Sequence, residues 1–449
     1  VAILAFLAAQ PRMLRLQTAT LDSAGGMRRR DLLRVGTAGL LGLSLAERER
    51  MAVGQARPTR QSATACIFIY LAGGPSQFET FDPKPMAPAR IRGPWGAVAT
   101  RTPGVFYSEL LPELSARSDQ LAVIRSLCHS NTEHQPWPMM TGTPQNRVAH
   151  GSVVAHARRK AGGTMPAYVQ LGPRLSAGAG PLSAAAEPLR IADPMAAAGS
   201  LEEFELLAEV GPARLLDRNH LLEAVDRMRR RAEADHSLAA QEALRQRATQ
   251  LLATAKVRDA FDLAAEPSRL RDRYGANCFG GSCLLARRLI EAGTQFVQIV
   301  WYNREDGFAV GWDVHGDDQA GLVRMEQQLC PRFDQGLSAL LDDLRDRGLL
   351  STTLVCAAGE FGRTPRISRL GGRDHWPYCF SAVMAGGGLP EGAVVGASDA
   401  QGAWPAEQPV SPADFAATLY ALLGVDANAD DRTRPAIFEG SAVPALVGG

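Results

Sequence analysis

One kind of segment recurs along this chain and limits its fold more than anything else: a near-continuous apolar run, usually closed by glycine. "ATACIFIYLAGG" (63–74) is the first, and "QLAVIRSL" (120–127), "TQFVQIVW" (294–301), "STTLVCAAG" (351–359) and "CFSAVMAGG" (379–387) follow. A strand that is apolar at consecutive positions has to be covered on both faces, which is the condition inside a parallel sheet. Helical patterns lie between the runs, in "GSVVAHARRKAG", in the long "VRMEQQLCPRFDQGLSALLDDLRDRG" despite Pro331, and in "SPADFAATLYALLG", which opens on a serine cap and ends on glycine. Strands alternating with helices predict an α/β fold, a doubly wound, mostly parallel sheet flanked by helices. A chain of 449 residues with 46% hydrophobic content can fill such a core. From about 200 to 270 the composition shifts to Ala, Arg, Glu and Leu at helical spacing, which predicts an inserted helical region with a solvated charged face and no chemistry. The organisation expected is an N-terminal extension over 1–62 and one α/β domain over 63–449.

Charge excludes some functions. Lys and Arg total 48 against 47 acidic residues, a net of +1, so no global field draws nucleic acid or an anionic membrane, and any anion recognition has to be local. The seven cysteines form no Cys-x-x-Cys pair and several sit inside apolar runs, as buried small hydrophobes do; one disulfide stays open if the protein is exported. Export is suggested by "MRRRDLLRVGTAGLLGLSLAERER", in which Arg29 and Arg30 precede Asp31, Leu32, Leu33 and Arg34 and then an apolar stretch from 35 to 45. This resembles a twin-arginine export signal, implying the twin-arginine export machinery as a partner and a periplasmic or otherwise exported location. The apolar stretch is too short for a stable membrane anchor. Met27 reads as the initiator and residues 1–26 as an extension outside the natural product, with the cleavage point open between small-residue sites near 44–46 and 54–56.

In doubly wound sheets, ligands bind beyond the carboxyl ends of the strands, and four polar clusters stand there. "GGPSQFETFDPKP" offers Glu79 and Asp82, either as metal-reaching acids or as parts of a plain turn. "CHSNTEHQPWPMMTGTPQN" carries His129, Asn131, Thr132, His134 and Thr141, which supply either ligands with a hydroxyl nucleophile or the polar cap of the next helix. In "WYNREDGFAVGWDVHGDD", Asp313 and His315 flank one residue, so an extended backbone puts both on one face, as a divalent-metal pair needs; Asp306, Asp317 and Asp318 add negative charge. The fourth, "GEFGRTPRISRLGGRDHWP", holds Glu360, Arg363, Arg366, Asp374 and His375. It reads either as a carboxylate and imidazole ligand set with an arginine for the oxygens of a phosphate or sulfate, or as a salt-bridged structural loop.

The order of "GGPSQFETFDPKP", "HSNTEHQPWPMMTG", "WDVHG", "GEFGRTPRI" and "GRDHWP" behind a twin-arginine segment resembles the alkaline phosphatase, sulfatase and cofactor-independent phosphoglycerate mutase superfamily. It is more similar still to its exported bacterial branch, the domain-of-unknown-function 1501 family. The resemblance puts Glu360 at an aspartate ligand position, Phe361 where a His or Asn ligand would stand, Thr132 at the nucleophile, Asp313 and His315 at a middle ligand pair and His375 at a late histidine ligand. Gly73 and Gly74 stand where relatives keep aspartates, so Glu79 or Asp82 would have to substitute. The implied function is an exported metal-dependent hydrolase of a small-molecule or polysaccharide phosphate or sulfate ester. Asp313, His315, Glu360, Asp374 and His375 would bind a divalent ion (Zn, Mn, Ca or Mg), Thr132 would attack, His134 would be a ligand or proton donor, and Arg363 would hold the ester oxygens. The competing expectation is an exported binding or assembly protein that keeps the fold without turnover, because Phe361 and the two glycines remove ligands.

Overall fold

The first apolar run becomes β1 (Ala65–Leu71), whose seven residues are all buried because alternate side chains enter two different cores. Ile67, Ile69 and Leu71 pack into one core, while Cys66, Phe68 and Tyr70 pack into the other. The remaining strands of the same sheet are β2 (Leu121–Leu127), β3 (Tyr168–Leu171), β4 (Leu189–Ile191), β5 (Phe296–Trp301), β6 (Thr353–Ala358), β7 (Phe380–Gly386) and β8 (Val394–Val395). They lie in the order β8-β2-β7-β6-β1-β5-β3-β4. β1 pairs in parallel with β5 and β6 at the centre, β3 continues in parallel beside β5, and β7 runs against both β6 and β2. The fold is thus the mostly parallel α/β sheet that the apolar runs predict, with one reversed strand. That reversal has a local cause: no helix lies between β6 and β7, and a strand that returns without a crossover helix comes back antiparallel. The computed structural model describes residues 63–143, 148–158, 165–174, 177–193, 255–302, 311–316, 321–426 and 440–448. The twin-arginine segment, most of the helical insertion, Asp306, Asp317 and Asp318 lie outside the described residues.

Among the described residues, the four longest helices cover the sheet. α1 (His150–Ala157) and α4 (Pro412–Leu423) close the core that contains Phe68, through Val153, Val154, Phe415 and Leu419. α2 (Cys278–Ala292) and α3 (Cys330–Asp346) close the other through Leu285, Leu289, Leu337 and Leu340. The start of α4 is fixed by a reciprocal cap in which Ser411 Oγ accepts from the Asp414 amide and the Asp414 carboxylate accepts from the Ser411 amide, followed by Pro412 in the first turn. Pro331 does not break the long helical pattern because it sits in the first turn of α3, where its missing N–H costs no bond, after a π turn over Met325–Leu329. Among the described residues no helix is long and apolar enough to cross a membrane.

The functional edge follows from this topology. The carboxyl ends of β1, β5 and β6 are neighbours, so the segments leaving them, 72–82, 302–316 and 359–379, start side by side. Gly73 and Gly74, with φ of 99° and 75°, turn the chain sharply after β1. A Cβ on Gly73 would lie 2.5 Å from the Asp313 amide nitrogen, and one on Gly74 would lie 2.5 Å from the Phe361 ring. Glycine at these positions lets the 311–316 segment and Phe361 close in against β1.

Candidate metal centre

In "GWDVHG" (311–316) the extended backbone alternates as expected. Trp312 and Val314 are fully buried, Trp312 against Trp301 and Phe333, while Asp313 and His315 turn outward. The segment is anchored by the Trp312 amide donating to the Ala72 carbonyl (2.8 Å) and by the Arg373 amide donating to the Val314 carbonyl (2.9 Å). His375 arrives on a two-stranded ribbon in which His375–Trp376 pairs antiparallel with Gly362–Arg363. His134 comes from the loop after β2, which is tied down two ways: the His129 amide donates to the Pro377 carbonyl (2.9 Å), and its ring Nε2 meets the Glu360 carbonyl at 2.6 Å. A carbonyl only accepts, so His129 carries its proton on Nε2, and its Nδ1 accepts from the Asn131 amide at 3.1 Å. Burial lowers its pKa and keeps it neutral, so His129 serves as an anchor for the loop.

Donor atoms of His134, Asp313, His315 and His375 all lie within 4.8 Å of one another. Each imidazole is oriented by an acceptor on its far side. His375 Nδ1 donates to the Thr132 carbonyl (2.7 Å), His315 Nδ1 to the Asp374 carboxylate (2.9 Å) and His134 Nδ1 to Glu360 Oε1 (3.0 Å). With Nδ1 committed in all three rings, Nε2 is the nitrogen left with a lone pair whenever a ring is neutral, and the three Nε2 atoms converge. Asp313 completes the set: its Oδ1 lies 2.9 Å from His315 Nε2 and 3.2 Å from His375 Nε2, and its Oδ2 lies 3.3 Å from His134 Nε2.

One contact tests whether these residues suit a cation. His315 Nε2 and His375 Nε2 are 2.9 Å apart. Two lone pairs cannot face each other at that distance unless a proton or a metal ion lies between them, and imidazole nitrogens beside a carboxylate are ordinary ligands for such an ion. The electrostatics agree. Hydrogen bonds to Asp313 and then Glu360 raise His134 to about 9 against the effect of burial, so the carboxylates favour positive charge at this point. Burial alone would raise the Asp313 pKa, but bonds from His134 and His375 and the charge of Arg363 hold it well below the usual carboxylate range.

Several residues are not where the sequence put them. Glu360 and Asp374 were expected among the ligands, yet both stand one layer out, holding His134 and His315 by Nδ1. Glu360 is buried, accepts the Gly73 amide (2.9 Å) with the same oxygen that holds His134, and sits beside the buried Tyr70 phenol, whose ionisation burial and this carboxylate oppose. Arg363 was expected to hold ester oxygens, but its guanidinium is fully buried and spent on the protein. Nε donates to the Gly74 carbonyl (2.9 Å), Nη1 to the Arg373 carbonyl (3.1 Å), and Nη2 to the Gly73 carbonyl, the Trp312 carbonyl (3.2 Å) and Asp313 Oδ1 (2.7 Å). Its geometry is that of a clamp on Asp313. Glu79 and Asp82 do not replace the acids missing at Gly73 and Gly74: Glu79 pairs with Arg373, and Asp82 with Lys84 and Ser398. Thr132 is exposed, and the contact it makes with the centre is through its backbone carbonyl. Thr141 is buried and bonded to the Trp137 carbonyl (3.1 Å). Phe361, which occupies an expected ligand position, instead stacks on His375 (4.2 Å between centroids) and touches the His134 ring (5.3 Å). The role of the Thr132 carbonyl had no signal in the sequence, since every residue carries that group.

The structure thus places a three-histidine, one-aspartate cluster at the carboxyl edge of a mostly parallel α/β sheet. The chain matches, over residues 63–431, the family described as "Protein of unknown function (DUF1501)", and it belongs to that family. Comparison with curated proteins gives no match. Among solved structures the chain is similar to Ps i-CgsB, with a TM-score of 0.40 and 8% identity over 85% of this chain and 75% of that one. It is also similar to the phosphonate monoester hydrolase SpPMH from Silicibacter pomeroyi, with a TM-score of 0.38 and 13% identity over 86% and 77% of the two chains.

Proposed function

We propose that this chain is an exported, metal-dependent hydrolase of phosphate or sulfate esters, with one divalent ion held by His134, Asp313, His315 and His375. The observation that carries the reading is the convergence of three imidazole Nε2 atoms and one carboxylate, each ring tied off at Nδ1, on a partly open surface. Three nitrogens and a carboxylate suit zinc first and manganese next, whereas calcium and magnesium prefer oxygen ligands. When bound, the ion supplies Lewis-acid activation of the ester and of water. The chain's own residues do the rest. Arg363 fixes Asp313, Glu360 and Asp374 fix two of the imidazoles, and Phe361 backs His375 and His134 with an apolar wall. His134 and His315, with side chains 47% and 42% exposed, form the solvent side on which an ester would approach. Thr132, exposed, is the nucleophile the family resemblance implies, and its carbonyl ties the loop to His375 Nδ1 on the side of the ring away from the other ligands. The paired arginines Arg29 and Arg30 support export.

The test is turnover of 4-nitrophenyl phosphate and 4-nitrophenyl sulfate by the purified, metal-loaded full chain. Hydrolysis that is lost in His375→Ala and on chelation, and lost in Thr132→Ala with the metal retained, is the expected result; turnover indifferent to all three overturns the proposal. One observation favours a second reading. Because Arg363 is spent on the protein, no buried guanidinium among the described residues is left to hold ester oxygens at the centre, as a non-catalytic metal-binding protein would also have it. A stoichiometric metal with no turnover on either ester supports that reading.

A further inference from the structure

The loop that brings His134 to the centre hangs on a side chain that is not a ligand. His129, two residues beyond β2, lies half-buried against the rings of Phe380 (5.5 Å between centroids) and Trp137 (6.0 Å). Its two nitrogens are committed in opposite senses, Nε2 donating to the Glu360 carbonyl (2.6 Å) and Nδ1 accepting from the Asn131 amide (3.1 Å). That second bond starts a tight series. Asn131 Oδ1 accepts from the Glu133 amide (3.3 Å), and Asn131 Nδ2 donates to the Glu133 carbonyl (3.1 Å). Within the turn so closed, Thr132 aims its carbonyl at His375 Nδ1 (2.7 Å), and the next residue but one is the ligand His134. One neutral ring therefore fixes the segment that orients His375 and supplies His134.

We infer that His129 is a positioning residue that works as a proton-operated latch: neutral, it holds 129–134 in the shape the metal centre needs, and a proton on Nδ1 opens that shape and loosens the ion. The reason is the count of donors. An imidazolium donates from both nitrogens. Nε2 can keep its carbonyl, but an N–H on Nδ1 would point at the Asn131 N–H 3.1 Å away, and two donors cannot share that bond. The Asn131 amide has to move, and with it the Thr132 carbonyl and His134. The groups around the ring set the pH at which this happens. Trp137, Phe380 and the Pro377 carbonyl, which accepts the His129 amide, carry no charge. Among the described residues the charged side chain acting on the ring is Glu360, whose carboxylate and carbonyl favour the proton, against a larger effect of burial that disfavours it. His129 thus takes its proton below the ordinary histidine value of 6.5, so the latch is closed at neutral pH and opens as the solution is acidified. Protonation of the ligands themselves gives any such centre an acid limit, and the latch adds one proton that no ligand carries. The inference rests on the metal centre and not on the hydrolase reading.

Two measurements on the full chain test it. With and without zinc, hydrogen exchange of peptides covering 129–134 is followed from about pH 8 to about pH 4, together with the fluorescence of Trp137, which a protonated imidazole at 6.0 Å quenches. The expected result is a quenching step below pH 6.5 that is absent from Trp137→Phe and His129→Gln, with protection of 129–134 lost over the same range in proteins that keep His129. Gln keeps an N–H for the Glu360 carbonyl and cannot take the proton. In the second measurement, zinc affinity is read by competition with a chelator near about pH 7.5 and about pH 5. Both proteins lose affinity as their ligands protonate, and the wild type loses about threefold to tenfold more than His129→Gln. Parallel losses in the two proteins, or quenching without a change in exchange, overturn the proposal, because a merely structural His129 shifts affinity by one factor at both pH values. His129→Asn, which keeps an acceptor for the Asn131 amide, takes the place of His129→Gln where that variant does not fold. An exchange step in a protein that binds zinc at neither pH upholds the latch on the loop and overturns only the metal centre.

Discussion

Arg363 and Arg373 are both fully buried on one loop, and each is paired with a carboxylate, Asp313 and Glu79 respectively. The pairs differ in what the carboxylate has left. Glu79 gives both oxygens to Arg373, at 3.1 Å to Nε and 2.7 Å to Nη2, and is buried with it over the Phe78 ring. Asp313 gives one oxygen to Arg363 and turns both toward three imidazole nitrogens. The first pair is closed and holds the loop to the 72–82 segment, whereas the second is held rigid by the same kind of guanidinium and yet remains able to ligate. Buried ion pairs of equal chemistry thus become structural or functional according to the coordination left on the acid.

The comparison can be broken from the closed side first. Arg373→Met leaves Glu79 buried without its partner and should cost about 3–5 kcal/mol in denaturant unfolding, while whatever protein folds keeps its metal content. Asp313→Asn should do the reverse: its amide oxygen still accepts from Arg363, so stability falls less, but metal affinity measured by competition with a chelator drops about 100-fold. Glu360→Gln keeps the shape and removes the charge that orients His134, and should weaken the metal by about 10- to 100-fold. Asp374→Asn is the mildest, because that carboxylate is 64% exposed and screened by water, and should cost about tenfold or less. An Asp374→Asn effect as large as that of Asp313→Asn would show that the two acids hold the ion together.

Much of the fold was legible because burial on both faces leaves a plain mark: runs such as "IFIYL" and "TLVCAA" admit few other structures. The reversal of β7 was hidden, since an apolar run looks the same in either direction and only the missing crossover helix reveals it. In the site, Asp313, His315 and His375 could be singled out because Asp-x-His spacing and a late Asp-His pair are local signals, and the fold brings them together with His134. What could not be read was depth. Glu360, Asp374 and Arg363 are of the right type and in the right loop, but whether such a side chain faces the ion, its ligands or the core is set by side-chain directions that spacing does not encode. Glu79 failed as a substitute acid for a related reason, because its partner Arg373 is remote in sequence and the pairing exists only in the fold.

The account stands or falls on one ion in one place. Elemental analysis combined with X-ray absorption at the metal edge, on the full chain purified as folded protein and on His375→Ala, tests it directly. About one zinc or manganese per chain, with imidazole scattering from about three histidines and loss of the ion in the variant, is the predicted result. A protein that holds no ion, or that keeps it unchanged when His375 is gone, would contradict the metal centre itself.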